Sequence, residues 1–183
     1  MKTLTLLRHA KSGWDDTVTR DVDRPLNGKG KRAAAAVGKH WRGLGLAFDH
    51  VVASPAVRVH ETLTHLVTGY GTDLAPVVDR RIYLASAVTL LDVIHDLPAD
   101  AEHVLMVGHN PGLEDLVLML VPDKTGEAAD DGLRDTLEEK FPTASTAQMT
   151  FDGAWADVAA NAATLTRFIR PRDLDPALGP DKD

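Results

Sequence analysis

Residues 4–14 read LTLLRHAKSGW, an apolar run that breaks abruptly at Arg8 and His9. The run alternates threonine and leucine before the break, which is typical of a central β-strand. A buried strand that ends on a cation and an imidazole delivers both groups to an edge of a sheet, where a ligand can reach them. This stretch therefore predicts a functional site as well as a core element.

A second unit of the same kind follows along the chain. Residues 50–53 predict a short strand, after which Ser54 is expected to cap a helix and Pro55 to occupy its first position. Apolar residues recur at helical spacing from Val59 to Tyr70, and Arg58 lies near the helix start, off the apolar stripe. The pattern therefore predicts that Arg58 points toward the end of the strand.

Residues 103–107, HVLMV, form the most strand-like run in the chain, and they end at Gly108 and His109. A helix with apolar residues at i, i+3, i+4 and i+7 follows. Alternating strands and helices predict an α/β three-layer sandwich, with a mostly parallel central sheet and helices on both faces. Two further strands, at 147–151 and 164–169, are expected to add an antiparallel edge.

The predicted topology brings Arg8, His9, Arg58 and His109 together, because the carboxyl ends of parallel strands meet at one edge of a sheet. Two arginines and two histidines at helix N-termini suit a dianion such as a phosphoryl group. His9 could attack the phosphorus if one ring nitrogen is unprotonated, which requires a hydrogen-bond acceptor at the other nitrogen. His109 would donate to the phosphoryl oxygens.

Length and composition limit the number of domains and the kinds of ligand, metal and compartment to be expected. The chain has 183 residues, of which 44% are hydrophobic and 26% charged, and we expect one domain over residues 1–170 and a poorly ordered tail over 171–183. The net charge of −7 opposes diffuse attraction to nucleic acid or to anionic membranes. Cysteine is absent, and no His or carboxylate spacing indicates a metal site, so we expect no metal and no cofactor. No signal peptide or membrane-length segment is evident, so we expect a cytoplasmic protein.

These motifs carry a family resemblance that covers roughly residues 3–170. Arg8-His9-Ala10 resembles the Arg-His-Gly signature of the histidine phosphatase (phosphoglycerate mutase-like) superfamily, and SPAVRVHET at 54–62 is similar to its second motif. RHAKSGW at 8–14, DRPL at 23–26 and GHNPGLEDL at 108–116 most resemble the SixA-type phosphohistidine phosphatase branch.

The resemblance implies roles for individual residues. His9 would be the nucleophile, and Arg8, Arg58 and His109 would bind the phosphoryl group. Arg24 would be a further substrate contact. The remaining candidates for substrate binding are Lys11, Ser12 and Asn110.

One departure from the superfamily concerns the general acid. Larger members carry a glutamate after the third strand, whereas residues 78–83 here read VDRRIY and offer no clear equivalent. Asp79 is the nearest acid, and Asp15, Asp16 and Glu114 are the other carboxylates that could protonate a leaving group.

Other interpretations of these residues and functions stay open at this point. His9 could be a structural histidine, Arg58 a surface residue paired with Glu61, and Arg24 a loop cation. The favoured function is a metal-independent phosphatase acting on a phosphate-bearing substrate, possibly a histidine-phosphorylated protein. The alternatives are a small-metabolite phosphomonoesterase or mutase of the same superfamily, and a phosphate-recognition module without catalysis.

Overall fold

A six-stranded mixed sheet forms the centre of the protein in the computed structural model, which describes residues 1–14, 17–123 and 132–180. The strand order across the sheet is β3-β2-β4-β1-β5-β6. The strands are β1 (Lys2–Arg8), β2 (His50–Ala53), β3 (Val77–Val78), β4 (His103–Gly108), β5 (Thr146–Phe151) and β6 (Thr164–Ile169).

Strand directions confirm the predicted mostly parallel sheet with an antiparallel edge. β1, β2, β3 and β4 all run parallel to one another, whereas β5 is antiparallel to both β1 and β6. The register pairs Arg8 with Gly108 and Ala53 with Val107. The carboxyl ends of β1, β2 and β4 therefore meet at the same height on one edge of the sheet.

Helices cover both faces of this sheet, which confirms the three-layer sandwich. The helices are α1 (Gly28–Leu44), α2 (Val57–Tyr70), α3 (Ala87–His95), α4 (Gly112–Leu120), α5 (Leu133–Glu139) and α6 (Pro171–Leu174). Leu4 and Leu6 of β1 point into a core with α3 and α4, whereas Leu7 points into a second core with α1 and α2.

Close packing of α1 against α2 fixes the helix that carries Arg58. A Cβ atom on Gly38 would lie 2.0 Å from the carbonyl oxygen of Leu66, and one on Gly69 would lie 2.2 Å from that of Ala35. Only glycine allows the two backbones to approach this closely. The position of α2 is therefore set by backbone contact as well as by its apolar stripe.

The start of α2 differs from the prediction. The helix begins at Val57 after Ala56, so Pro55 lies outside it and Ser54 does not cap its first turn. Ser54 instead bonds a ring nitrogen of His109 through its hydroxyl, and that oxygen also accepts from the N–H of Ala56. The serine thus belongs to the candidate site.

The C-terminal segment also differs from the prediction of a poorly ordered tail. Residues 171–174 form α6 and residues 176–178 a 3-10 turn, with Pro171 buried and Leu174 and Leu178 packed on the core beside α1. Burial of Pro171 and partial burial of the two leucines give the segment a folded position, which its Pro- and Asp-rich composition did not indicate. Residues 181–183 lie outside the described residues.

None of the helices described combines the length and apolar character needed to cross a membrane.

Candidate active site

The ends of β1 and β4 bring two histidines together. His9 directly follows β1, and its backbone N–H donates to the carbonyl of Gly108 at 3.1 Å. The rings of His9 and His109 have centroids 5.3 Å apart. Strand pairing thus places the two predicted histidines side by side.

His9 has the hydrogen-bond acceptor that a nucleophilic imidazole needs. Its side chain is buried, and Nδ1 lies 2.7 Å from the carbonyl oxygen of Ala10. A carbonyl can only accept, so Nδ1 carries the proton and Nε2 carries the lone pair. Burial is the main cause that lowers the pKa of His9 to about 3, with smaller contributions from His109, Arg58 and Arg8 and an opposing one from the hydrogen bond to Ala10. The imidazole is therefore neutral at physiological pH.

Thr62 connects the His9 segment to α2. The N–H of Ala10 donates to the Thr62 hydroxyl at 2.9 Å, and this hydroxyl donates to the carbonyl of Arg58 at 2.6 Å. The residue that fixes the His9 tautomer is thereby held to the helix turn that carries Arg58.

His109 is held between Ser54 and Arg58. Its Nε2 lies 2.7 Å from the Ser54 hydroxyl, and its Nδ1 lies 3.4 Å from Nη2 of Arg58. Since a guanidinium can only donate, Nδ1 accepts and the Nε2–H donates to Ser54. Burial, followed by the charge of Arg58, lowers the pKa of His109 to about 4. His109 is therefore also neutral, with Nδ1 facing the arginine.

Arg58 is a buried residue of the site, with a side chain only 2% exposed. Its Nη1 donates to the main-chain carbonyl of Asp21 at 2.8 Å, and its Nη2 donates to the Asp21 carboxylate at 3.0 Å. The structure thus pairs it with Asp21, whereas the alternative interpretation placed it on the surface with Glu61. Glu61 instead accepts a long bond of 3.4 Å from the N–H of Leu26.

Asp21 and Tyr83 belong to the site although the sequence analysis assigned them no role. The Asp21 carboxylate accepts from the Tyr83 hydroxyl and from Arg58, and it forms an ion pair with Nε of Arg24 at 3.1 Å. Tyr83 also lies edge-on to the His109 ring, 5.4 Å away. The Tyr83 hydrogen bond, followed by Arg58 and Arg24, holds the pKa of Asp21 below its usual range. The sequence feature that could have indicated Asp21 is its position three residues before Arg24.

Arg24 occupies the outer part of this network. Its guanidinium lies 4.9 Å from the ring centroid of Trp14, which is largely exposed, and its charge contributes to the lowered pKa of His109. Asp21 and Trp14 thus hold Arg24 in this network, and the ion pair with Asp21 agrees equally with its interpretation as a loop cation among acidic residues. Direct substrate contact stays a prediction.

Arg8 is anchored from the loop before β5. Its Nη1 donates to the carbonyl of Phe141 at 2.8 Å, and Nδ2 of Asn110 donates to the same oxygen at 3.1 Å. The side-chain Oδ1 of Asn110 accepts from the backbone N–H of Glu114 at 3.2 Å. Asn110 therefore joins the start of α4 to the group that holds Arg8, and its predicted contact with substrate stays a prediction.

Lys11 and Ser12 lie in the segment that follows the nucleophile. Ser12 pairs with Leu26 in an isolated antiparallel bridge, and the Lys11 carbonyl accepts from the N–H of Asn27 at 3.0 Å. Lys11 lines a cavity that it shares with Arg8. The bridge places this segment beside the start of α1, and the substrate-binding roles stay predictions.

Two of the four candidate acids can be compared. Asp79 accepts from the backbone N–H of Arg81 at 2.9 Å and from its Nη2 at 2.8 Å, and these bonds lower its pKa. Partial burial, together with Asp115, raises the pKa of Glu114, although Arg8 opposes this. Glu114 is therefore better suited than Asp79 to hold a proton. Asp15 and Asp16 lie outside the described residues.

The two neutral histidines predict an acid-sensitive fold. The ordinary pKa of histidine is about 6.5, so below this pH both histidines bind protons in the unfolded chain but not in the native protein. The free energy of unfolding therefore decreases as the pH is lowered. We expect a loss on the order of 1–2 kcal/mol for each histidine between pH 7 and pH 5. Urea denaturation at both pH values measures it. A smaller loss is expected in His109→Gln than in the exposed control His60→Gln, and equal losses would contradict the assignment.

Comparison with known families agrees with the motifs. The model of the histidine phosphatase superfamily (branch 1) matches residues 4–82. An uncharacterized protein of Mycobacterium tuberculosis is 34% identical over 166 residues, which cover 91% of this chain and 100% of that protein.

Two solved structures are similar over nearly their whole length. The candidate phosphohistidine phosphatase SixA from Nakamurella multipartitia is 34% identical, with a TM-score of 0.79 over 93% of this chain and 96% of that one. Its counterpart from Agrobacterium tumefaciens is 27% identical, with a TM-score of 0.73 over 93% and 98% of the two chains.

Proposed function

Because this chain belongs to the SixA-like branch of the histidine phosphatase superfamily, we propose that it is a metal-independent phosphatase that acts through a phosphohistidine intermediate on His9. Family membership supports phosphatase activity in general. The proposed phosphohistidine intermediate depends on one observation, the neutral imidazole of His9. Its Nδ1–H is bound to the Ala10 carbonyl at 2.7 Å, which leaves a lone pair on Nε2.

The first step transfers the phosphoryl group to His9. Nε2 attacks the phosphorus in line, and the new P–N bond forms as the bond to the leaving group breaks and the leaving group takes the electron pair. A phosphoimidazole that solvent has already protonated leaves as a neutral ring, and an aryl phosphate leaves as the aryl oxide. Arg8 and Arg58 bind the equatorial oxygens, where the negative charge is spread. In the second step, water attacks the phosphorus, the P–N bond breaks with its electron pair returning to Nε2, and inorganic phosphate is released together with the proton that the water loses to solvent.

His109 gains a proton-dependent role when an anion is present. Its low pKa reflects burial and the neighbouring positive charge of Arg58. A phosphoryl dianion bound beside the two groups would offset the positive charge of Arg58 and favour the protonated ring, so Nδ1 would become a donor to the phosphoryl oxygens. The Ser54 hydroxyl, which accepts from Nε2–H in either state, keeps the ring in place.

We propose that the natural substrate is phosphohistidine, presented on a protein partner. A phosphorylated imidazole can be protonated before it departs as a neutral ring, so it needs little help from an enzymic acid. The strongly hydrogen-bonded Asp79 supports this choice, since it is poorly suited to donate a proton. The names of the two similar structures, both candidate phosphohistidine phosphatases, point to the same substrate class.

Turnover of an aryl phosphate in EDTA tests the metal-independent mechanism. The groups around His9 are guanidinium and imidazole donors, and among the described residues no three His, Asp or Glu side chains gather to hold an ion. We therefore expect an unchanged kcat/KM after chelation and dialysis. Activity that is lost in EDTA and restored by Mg²⁺ would contradict the proposal, and absence of turnover under both conditions would favour a phosphate-recognition module.

A further inference from the structure

A strongly basic cavity of about 340 Å³ adjoins the candidate active site and shares Arg8 with it. Its other charged lining residues are Lys11, Lys29, Lys140 and Arg172, and no Asp or Glu of the described ranges lines it. We propose that this cavity is a subsite for a second anionic group of the substrate, a carboxylate of an acidic peptide segment or a second phosphoryl group. The proposal rests on the proposed function, because it assigns the neighbouring phosphoryl group to His9.

The cations come from separate parts of the chain, so their convergence is a product of the fold. Arg8 ends β1, Lys11 lies in the segment after it, Lys29 lies in the first turn of α1, Lys140 directly follows α5, and Arg172 lies in α6. Five cationic side chains therefore line one cavity in a chain whose net charge is −7. The fold thereby places cationic donors where a negative group of a ligand can bind.

The position of Lys29 adds a second electrostatic argument. The first turn of α1 contains no acidic residue, and Asn27 caps it by accepting from the N–H of Gly30 at 2.8 Å. The helix N-terminus is already positive, so a lysine there increases a potential that acidic residues usually balance. The α1 terminus and the lysine therefore act in the same direction on a ligand in the cavity.

The ordered C-terminal segment forms one wall of the cavity. Pro171, Leu178 and Gly179 line it, and Nζ of Lys29 donates to the carbonyl of Gly179. Packing of this segment against α1 thus shapes the cavity and contributes Arg172. These contacts hold the segment in place, although its composition predicted that it would be poorly ordered.

Arg8 connects the two sites. Its Nη1 is held by the Phe141 carbonyl, and the residues that follow, Pro142 and Thr143, line the cavity. A phosphoryl group bound by Arg8 at His9 would thus have the cavity on its flank, so a second anion close to the first on the same substrate can enter it. The volume lies near the lower end of the range for ligand pockets, about 300–1,000 Å³, which suits one or two small anionic groups.

The test compares two matched pairs of substrates. The first pair is a phosphohistidine peptide with Asp and Glu flanks and the same peptide with Asn and Gln flanks. The second is an aryl bisphosphate and the corresponding aryl monophosphate. We expect kcat/KM to be about tenfold higher for the more anionic member of at least one pair, and the preference to shrink with salt. The pair that shows the preference identifies the source of the second anion.

Two variants attribute the preference to the cavity. The double variant Lys29→Gln with Lys140→Gln is expected to bring the ratio of kcat/KM within the pair close to one. The control, Lys39→Gln with Arg42→Gln, removes two charges from the other end of α1, about 15 Å along the helix, and should keep the ratio. Equal kcat/KM within both pairs, or a preference that survives in the cavity variant, would overturn the subsite. Lack of turnover of all four substrates would instead refute the proposed function.

Discussion

Replacement of His9 by alanine is expected to reduce phosphatase turnover by about 10⁴-fold or more, since it removes the atom that forms the covalent bond to phosphorus. A rapid base quench of wild type with a labelled aryl phosphate should trap a phosphoenzyme whose label is stable in base and lost in acid. The same quench should recover no label from His9→Ala. The exposed His60→Ala, on α2, is the matched control and should retain both activity and label.

Arg58→Ala separates covalent from electrostatic catalysis. We expect a loss of about a hundred-fold, because the guanidinium stabilises charge in the transition state but forms no covalent bond. The phosphoenzyme should still form, more slowly. Thermal melts of both variants, together with tungstate binding by His9→Ala, establish that the fold and the remaining anion site persist. Label recovered on a serine or aspartate would contradict the assignment of His9.

The sequence was most informative where a local pattern determines position. Apolar runs that end at Arg8 and at Gly108 predicted two strands, and parallel pairing then required His9 and His109 to meet. Arg58 was located by its place at the start of a helix after a strand. These predictions depended on periodicity and on topology, both of which are present in the linear chain.

The contacts that the sequence did not reveal are those between distant segments. The pairing of Arg58 with Asp21 joins residues 37 apart, and that of Tyr83 with Asp21 joins residues 62 apart. The mixed-charge loop contains several carboxylates that the local sequence does not distinguish. Only the folded structure shows that Asp21 is the one that pairs with Arg58 and Tyr83. The Phe141 carbonyl accepts hydrogen bonds from both Arg8 and Asn110. These bonds could not be predicted because every residue has a main-chain carbonyl, so the identity of the side chain does not indicate which carbonyl accepts.

The order of the C-terminal segment illustrates a different limit. Pro-rich and acidic composition predicts disorder when a segment has too few apolar groups to bury. Here Pro171, Leu174 and Leu178 are sufficient because a complementary surface on α1 exists to receive them. Such a surface is formed by the rest of the fold and cannot be inferred from the segment itself.

The second large effect concerns the leaving group. We expect kcat/KM for phosphohistidine and for aryl phosphates to exceed that for a simple alkyl phosphate by roughly 10² to 10⁴, the contribution that a general acid would otherwise supply. An alkoxide is a poor leaving group without a proton, whereas an aryl oxide is stable and a protonated imidazole leaves as a neutral ring. A plot of log kcat/KM against leaving-group pKa measures this dependence, and a steep negative slope is expected.

If Glu114 acts as a general acid, the expected preference for good leaving groups will not be observed. Its pKa is raised by burial and by Asp115, and its charge interacts with Arg8, so it is a protonatable carboxyl close to a predicted phosphate ligand. If it serves as the acid, wild type will hydrolyse alkyl and aryl esters at similar rates, and Glu114→Gln will selectively lose the alkyl esters. We expect instead that Glu114→Gln, Asp79→Asn and the exposed control Asp115→Asn all keep the wild-type slope. The same comparison in Asp15→Asn and Asp16→Asn completes the set of carboxylates, and a selective loss of alkyl turnover in any one of them would identify a general acid and refute the phosphoramidate assignment.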